Sequence, residues 1–132
     1  MLSTLIVSND KKFTDIIIVI TQNEYPCVVC NTFKAASEIL VDTPVDLLIL
    51  DESLPDTTMT CRQFIEAAIL KKPMLHCAVS SSLSPESFHQ SYEGMGVLMQ
   101  LTVAPRQAEG LMLLDRINNI ATLQVGIKRE LA

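Results

Sequence analysis

No apolar run in this sequence is longer than residues 16–20, far short of the ~20 residues that span a bilayer. The opening stretch Met1-Leu2-Ser3-Thr4-Leu5-Ile6-Val7-Ser8-Asn9-Asp10 carries no basic segment and no apolar core of signal-peptide length. A soluble, cytoplasmic protein is therefore expected. Basic residues are few, ten Lys and Arg against fifteen Asp and Glu, for a formal charge of −5. That balance disfavours binding nucleic acid or an anionic membrane through a broad basic surface. Only four glycines are present, and none lies in Ser8-Asn9-Asp10-Lys11-Lys12, where a dinucleotide-binding domain needs its glycine-rich turn. The G-x-S-x-G turn of nucleophilic hydrolases is missing as well. There are two histidines, His76 and His89, and neither lies near Cys27-Val28-Val29-Cys30 in sequence, so the four clustered ligands of a zinc site are lacking. The four cysteines, Cys27, Cys30, Cys61 and Cys77, read as reduced small hydrophobes. In a β-rich stretch, residues three apart point to opposite faces, so the two sulfurs of the C-x-x-C do not meet on one turn.

What is present is a chain of 132 residues with 48% apolar composition, the size of one ordinary domain and able to bury roughly two-thirds of its unfolded surface. Residues 4–8, 27–30, 45–50, 74–79 and 97–103 are short, aliphatic and nearly continuous in apolarity, as strands buried on both faces are. Helix-length segments separate them. Residues 33–41 form an amphipathic pattern behind the cap-like Asn31-Thr32, and 62–71 form another. Ser84-Pro85-Glu86-Ser87 supplies an N-cap, a first-turn proline and an early acid, and Pro105 opens a last helix with Leu111, Leu114, Ile117 and Ala121 recurring along it. Asp15-Ile16-Ile17-Ile18-Val19-Ile20 has strand propensity, yet parallel strands need a crossover there, so a helix is expected. The result is an α/β fold, (βα)5, with a doubly wound five-stranded parallel sheet in strand order 2-1-3-4-5. Residues 1–123 form the domain, and 124–132 are the end of the last helix or the start of a linker.

In such folds the site lies beyond the carboxyl ends of the strands. After strand one come Asn9 and Asp10; strand three ends in Asp51, followed by Glu52-Ser53-Leu54-Pro55-Asp56; strand four leads into Ser80-Ser81-Ser82. Strands one and three are neighbours, so Asp10 and Asp51 can face each other. Two carboxylates at short range repel unless one takes a proton or a hard cation bridges them, which points to Mg²⁺.

The chain resembles the receiver domains of two-component response regulators, the CheY-like family with a flavodoxin-like fold. The strongest stretch is Val45-Asp46-Leu47-Leu48-Ile49-Leu50-Asp51-Glu52-Ser53-Leu54-Pro55-Asp56. The resemblance implies that Asp51 is the phosphoacceptor for a histidine kinase or phosphotransfer protein. It also implies that Asn9, Asp10 and Asp51 hold Mg²⁺ together with the backbone carbonyl of Ser53. Ser80 matches the family's switch hydroxyl, with Ser81 and Ser82 as neighbouring registers. The family's output is a changed contact surface formed by helix four, strand five and helix five, where a homodimer also forms. Met95, Met99 and Met112 fall near that face, although methionines at such spacing more often fill a core.

Four positions depart from the family. Ala104 stands before Pro105 where a lysine normally pairs with the phosphoryl oxygens, and neither Lys11 nor Arg106 takes its place by position. Leu101 replaces the strand-five aromatic. Asn9 replaces an acid and removes one charge from the metal site. Met59 stands where glycine is usual, which would strain a backbone needing positive φ. Two readings therefore follow: a phosphoacceptor switch, and a degenerate receiver that serves as a protein-interaction or dimerisation module without phosphate.

Overall fold

The computed structural model describes residues 2–9, 11–55 and 58–131, with side chains described through residue 120. Its five strands, β1 (Thr4–Val7), β2 (Cys27–Cys30), β3 (Leu47–Asp51), β4 (His76–Ser80) and β5 (Val97–Leu101), alternate with α1 (Thr14–Gln22), α2 (Phe33–Asp42), α3 (Cys61–Lys71), α4 (Pro85–Tyr92) and α5 (Gln107–Leu131). The strands are all parallel, in the order β2-β1-β3-β4-β5. This is the topology read from the sequence.

The two-residue period of a strand divides the core in two. Leu5, Val7, Leu48, Leu50, Cys77 and Val79 face one side, where α2, α3 and α4 contribute Phe33, Leu40, Phe64, Ile65 and Phe88. The Phe33 and Phe64 rings stack at 4.9 Å between α2 and α3. Ile6, Leu47, Ile49 and Ala78 face the other side, against Ile16 and Ile20 of α1 and Leu113 and Ile117 of α5. Cys30 packs on the first cluster and Cys27 on the second, so the C-x-x-C sulfurs lie on opposite faces of the sheet.

The β-branched segment is indeed helical. Ile16, Val19 and Ile20 of α1 are buried, and the chain around Gly110 of α5 lies directly on them. Helix starts follow local chemistry: Thr32 accepts from the Ala35 amide at 3.0 Å, Ser84 from the Ser87 amide at 3.2 Å, and Thr60 and Gln63 form a reciprocal capping box.

Some boundaries move. β3 begins at Leu47 because the Asp46 carboxylate accepts from the Ser3 amide at 2.8 Å and ties the strand's entrance to β1. β4 begins at His76 after a turn at residues 73–74. β5 ends at Leu101 because the next amide, that of Thr102, donates to the Glu109 side chain at 2.8 Å. Met59 is free of the strain expected of it: among the described residues Glu24 is the single non-glycine with positive φ, and Met59 packs on the first core cluster.

Candidate functional site

The register of the sheet builds the site. Val7 of β1 lies opposite Leu50 of β3, and Asp51 opposite Ser80 of β4. Ser8 therefore emerges beside Asp51, and Ser80 in turn is in register with Leu101 of β5. Asp51 is the last residue of β3 and is only 1% exposed.

Its two oxygens are unequally engaged. Oδ1 accepts from the Ser53 amide at 2.9 Å and the Ser53 hydroxyl at 2.7 Å, and it pairs with the Lys12 ammonium at 2.6 Å. Oδ2 is met by the Ser8 hydroxyl at 3.5 Å, the limit of hydrogen-bond reach. Lys12 also donates to Ser53 Oγ at 3.1 Å, and its side chain is 13% exposed. A buried carboxylate is costly without a partner. Here an ammonium and two short donors meet that cost at one oxygen, leaving the other more open.

Asp51 lines a cavity of about 240 Å³ with Lys12, Ser53, Ser80, Ser81 and Ser82. Glu52 and Val103 complete the described lining; both Glu52 oxygens already accept from Ser81 and Tyr92, so the ammonium and the serine hydroxyls are the groups that suit a small polyanionic group such as a phosphoryl. The hydroxyls are not all directed at Asp51. Ser80 Oγ donates to the Thr102 carbonyl at 2.9 Å, and so links the end of β4 to the β5–α5 loop. Ser81 Oγ donates to Glu52 Oε1 at 2.9 Å and accepts from the Leu83 amide at 3.1 Å. The other Glu52 oxygen accepts from the Tyr92 hydroxyl at the end of α4. Gln100 of β5 holds the same loop by donating to the Ser81 and Leu83 carbonyls at 3.2 and 2.7 Å.

Thus the residue next to Asp51 fastens the β4–α4 loop and the far end of α4 at once. Burial, followed by the bond to Glu52, raises the Tyr92 phenol pKa, so Tyr92 stays a donor. Cys61, beside Tyr92, is pushed up to about 12, chiefly by burial, although its interaction with the Tyr92 side chain opposes the shift. Cys77 also rises to about 12 through burial, and burial raises Cys27 and Cys30. All four cysteines are free thiols. Raised pKa values keep them protonated near neutrality and poor as nucleophiles.

Of the residues singled out from the sequence, Asp51, Ser53 and Ser80 are brought to one cavity. Asn9 is exposed at the end of β1. Asp10 lies outside the described residues. Ala104 is exposed in the β5–α5 loop, and Leu101 is fully buried in the core on the α1/α5 side. His76 is half-buried in β4 and His89 exposed on α4. The methionines do not form one stripe: Met95 and Met99 join opposite core clusters, while Met112 is half-exposed.

Lys12, Ser8, Glu52 and Tyr92 were missed from the sequence. The signal for Lys12 was the Lys11-Lys12 pair after strand one; the turn entering α1 brings the second lysine inward to Asp51. Among the described residues no three His, Cys, Asp or Glu side chains gather as metal ligands. The oxygen donors of Asp51, Asn9 and the Ser53 carbonyl are nevertheless of the type a hard divalent cation takes. Asn9 is neutral, and the Asp51 charge is already matched by Lys12.

No protein-family model matches the sequence, and no curated protein matches it. Solved structures do. A CheY-like response regulator receiver domain protein from Methanospirillum hungatei JF-1 superposes with a TM-score of 0.76 at 16% identity, covering 96% of this chain and 98% of that one. The chemotaxis response regulator CheY4 of Vibrio cholerae gives 0.77 at 16% identity, over 89% of this chain and 98% of its own. The signal receiver domain of a LuxO repressor protein from Vibrio parahaemolyticus gives 0.79 at 13% identity, over 96% of both chains. Identities this low speak to architecture, and with five parallel strands in the order β2-β1-β3-β4-β5 this chain has the fold of the CheY-like receiver domains.

Proposed function

We propose that this chain is a two-component signalling receiver whose Asp51 accepts a phosphoryl group from a histidine kinase or a histidine phosphotransfer protein in the cytoplasm. The observation that carries this reading is a buried carboxylate at the end of β3, opening into a cavity lined by an ammonium and serine hydroxyls. Oδ2, the less engaged oxygen, is the nucleophile. It attacks the phosphorus of the phosphohistidine, the new O–P bond forms as the P–N bond breaks, and the departing imidazole takes its proton from solvent. Oδ1 stays held by Ser53 and Lys12, which orient the carboxylate for attack.

Asp51, Asn9, Asp10 and the Ser53 carbonyl would hold a Mg²⁺ ion. Its contribution is to offset the repulsion between the carboxylate and the incoming anion. The chain consumes no further substrate, and its output is binding.

Output follows from the neighbours of Asp51. Glu52 shares a backbone with Asp51 and grips Ser81 and Tyr92, so displacement at Asp51 pulls on the β4–α4 loop and α4. The face formed by α4, β5 and α5 is where the changed contacts arise, with a second copy of this chain as one partner. The leucine at position 101 and the Ser80 bond to Thr102 leave no aromatic rotamer to relay the signal. The Glu52 bridge to Ser81 and Tyr92 is the route this reading assigns.

A degenerate receiver working without phosphate is the second reading, favoured by the Lys12–Asp51 ion pair and the alanine at position 104. Intact mass after incubation with acetyl phosphate and Mg²⁺ separates the two. The proposal expects a gain of one phosphoryl group that is lost in Asp51→Asn. No gain in a folded protein would favour the degenerate module.

A further inference from the structure

We propose that Lys12 is the resident cation of the Asp51 site, holding Oδ1 against a divalent metal and pairing with phosphoryl oxygens once Asp51 is modified. The second half rests on the phosphoacceptor reading; the first half does not. Three observations carry it. The ammonium lies 2.6 Å from Oδ1 and 3.1 Å from Ser53 Oγ, so it sits on the carboxylate oxygen rather than in solvent. Its side chain is 13% exposed, which weakens solvent screening of the pair relative to a surface salt bridge. Lys12 lines the same cavity as Ser80, Ser81 and Ser82, whereas the residue before Pro105 is an exposed alanine that brings no charge.

A metal bound at Asp51 Oδ1 would have to displace this ammonium or sit beside it, and two cations on one oxygen repel. Of the residues that would hold the metal, Asn9 adds no negative charge, so beyond Asp51 only Asp10 would help the metal compete. When Asp51 carries a phosphoryl group, its charge moves outward into the cavity that Lys12 lines. A flexible four-carbon stem lets the ammonium follow it.

The test is titration with Mg²⁺ alone, followed by backbone amide NMR shifts, on the wild-type chain, Lys12→Met, Lys12→Arg and the double variant Lys12→Met/Asp51→Asn. Methionine keeps an apolar stem beside Phe13 and removes the charge. The expected result is that Lys12→Met binds Mg²⁺ on the order of tenfold or more tighter than wild type, as removal of a competing charge at short range implies. Lys12→Arg should stay near wild type, and the double variant should lose the gain. Equal or weaker binding by Lys12→Met, or a gain that survives Asp51→Asn, would overturn the proposal.

A second arm uses acetyl phosphate: the phosphoryl group on Lys12→Met should be lost several-fold faster than on wild type, with Lys12→Arg restoring part of the lifetime. An unchanged lifetime would contradict the second half. A wild-type chain that takes no phosphoryl group at all would contradict that half and the phosphoacceptor reading together, while the Mg²⁺ titration still decides the first half.

Discussion

Glu109 accepts three hydrogen bonds at the start of α5. Oε1 accepts from the Thr102 amide, and Oε2 from the Thr102 hydroxyl and the Arg106 amide, so one side chain closes the β5–α5 loop. Burial acts to raise its pKa, but the Thr102 and Arg106 hydrogen bonds and the Arg106 charge prevail and lower it below the ordinary 4.5. A depressed carboxylate pKa contributes stability that is fully present above the unfolded value and is lost as pH falls through the folded value. Wild type should therefore exceed Glu109→Gln in thermal stability at neutral pH, and the gap should close below about pH 4.5. A gap independent of pH would show that the carboxylate's charge is not what holds the loop. Tyr92→Phe removes the donor to the Glu52 carboxylate and should cost about 1.5–3 kcal/mol in urea unfolding. At this scale legibility was uneven. Asp51 stood out because a strand-length apolar run ended in it. Lys12 did not, because loop geometry alone decides which of two adjacent lysines turns inward. Glu52 and Tyr92 meet only in three dimensions, across 40 positions of sequence.

Among the elements, α1 shows packing overruling propensity. Its run of isoleucines and valine is helical because Ile16, Val19 and Ile20 fill the groove between the sheet and α5. Gly110 permits that approach: a Cβ added there would stand 3.2 Å from Val19 Cβ and 3.3 Å from Ile16 Cδ1. Gly110→Val should lower stability by about 1–3 kcal/mol, since the larger side chain must push two fully packed helices apart. Gly110→Ala sets improved helix propensity against a much smaller intrusion and should come out milder. Denaturant midpoints for the two variants check the order, and an equal loss would mean that the contact is not the constraint. On the other side of the sheet, Phe33→Ala should cost about 3–5 kcal/mol, because its fully buried ring stacks on Phe64. The strands and helix starts were readable because buried parallel strands are continuously apolar and because caps have local signatures. Strand ends were not: β3 is trimmed by Asp46, whose partner Ser3 is distant in sequence, and β5 by Glu109, which reaches back from the next helix.

Taken whole, the molecule links the carboxyl end of the central strand by hydrogen bonds to a flank formed by α4 and β5. Position explains the link. Asp51 ends the strand between β1 and β4, and Glu52, at the edge of the same cavity, reaches Ser81 and braces α4 through Tyr92. The acidic balance of the chain suits contacts with proteins rather than with nucleic acid, and among the described residues no helix is long and apolar enough to cross a membrane. The fold and the place of Asp51 at the end of β3 were open to sequence reasoning because topology and a strand-end acid are local patterns. The Glu52 bridge was not, since it is assembled from side chains just after β3, in the β4–α4 loop and on α4. The central claim is that modification of Asp51 is transmitted through Glu52 to that flank. Hydrogen–deuterium exchange of the chain incubated with acetyl phosphate and Mg²⁺, compared with Asp51→Asn treated alike, tests it most directly. The expected result is an altered exchange rate at residues 81–92, with α2 unchanged. Identical exchange throughout residues 81–92 in the two samples would contradict it.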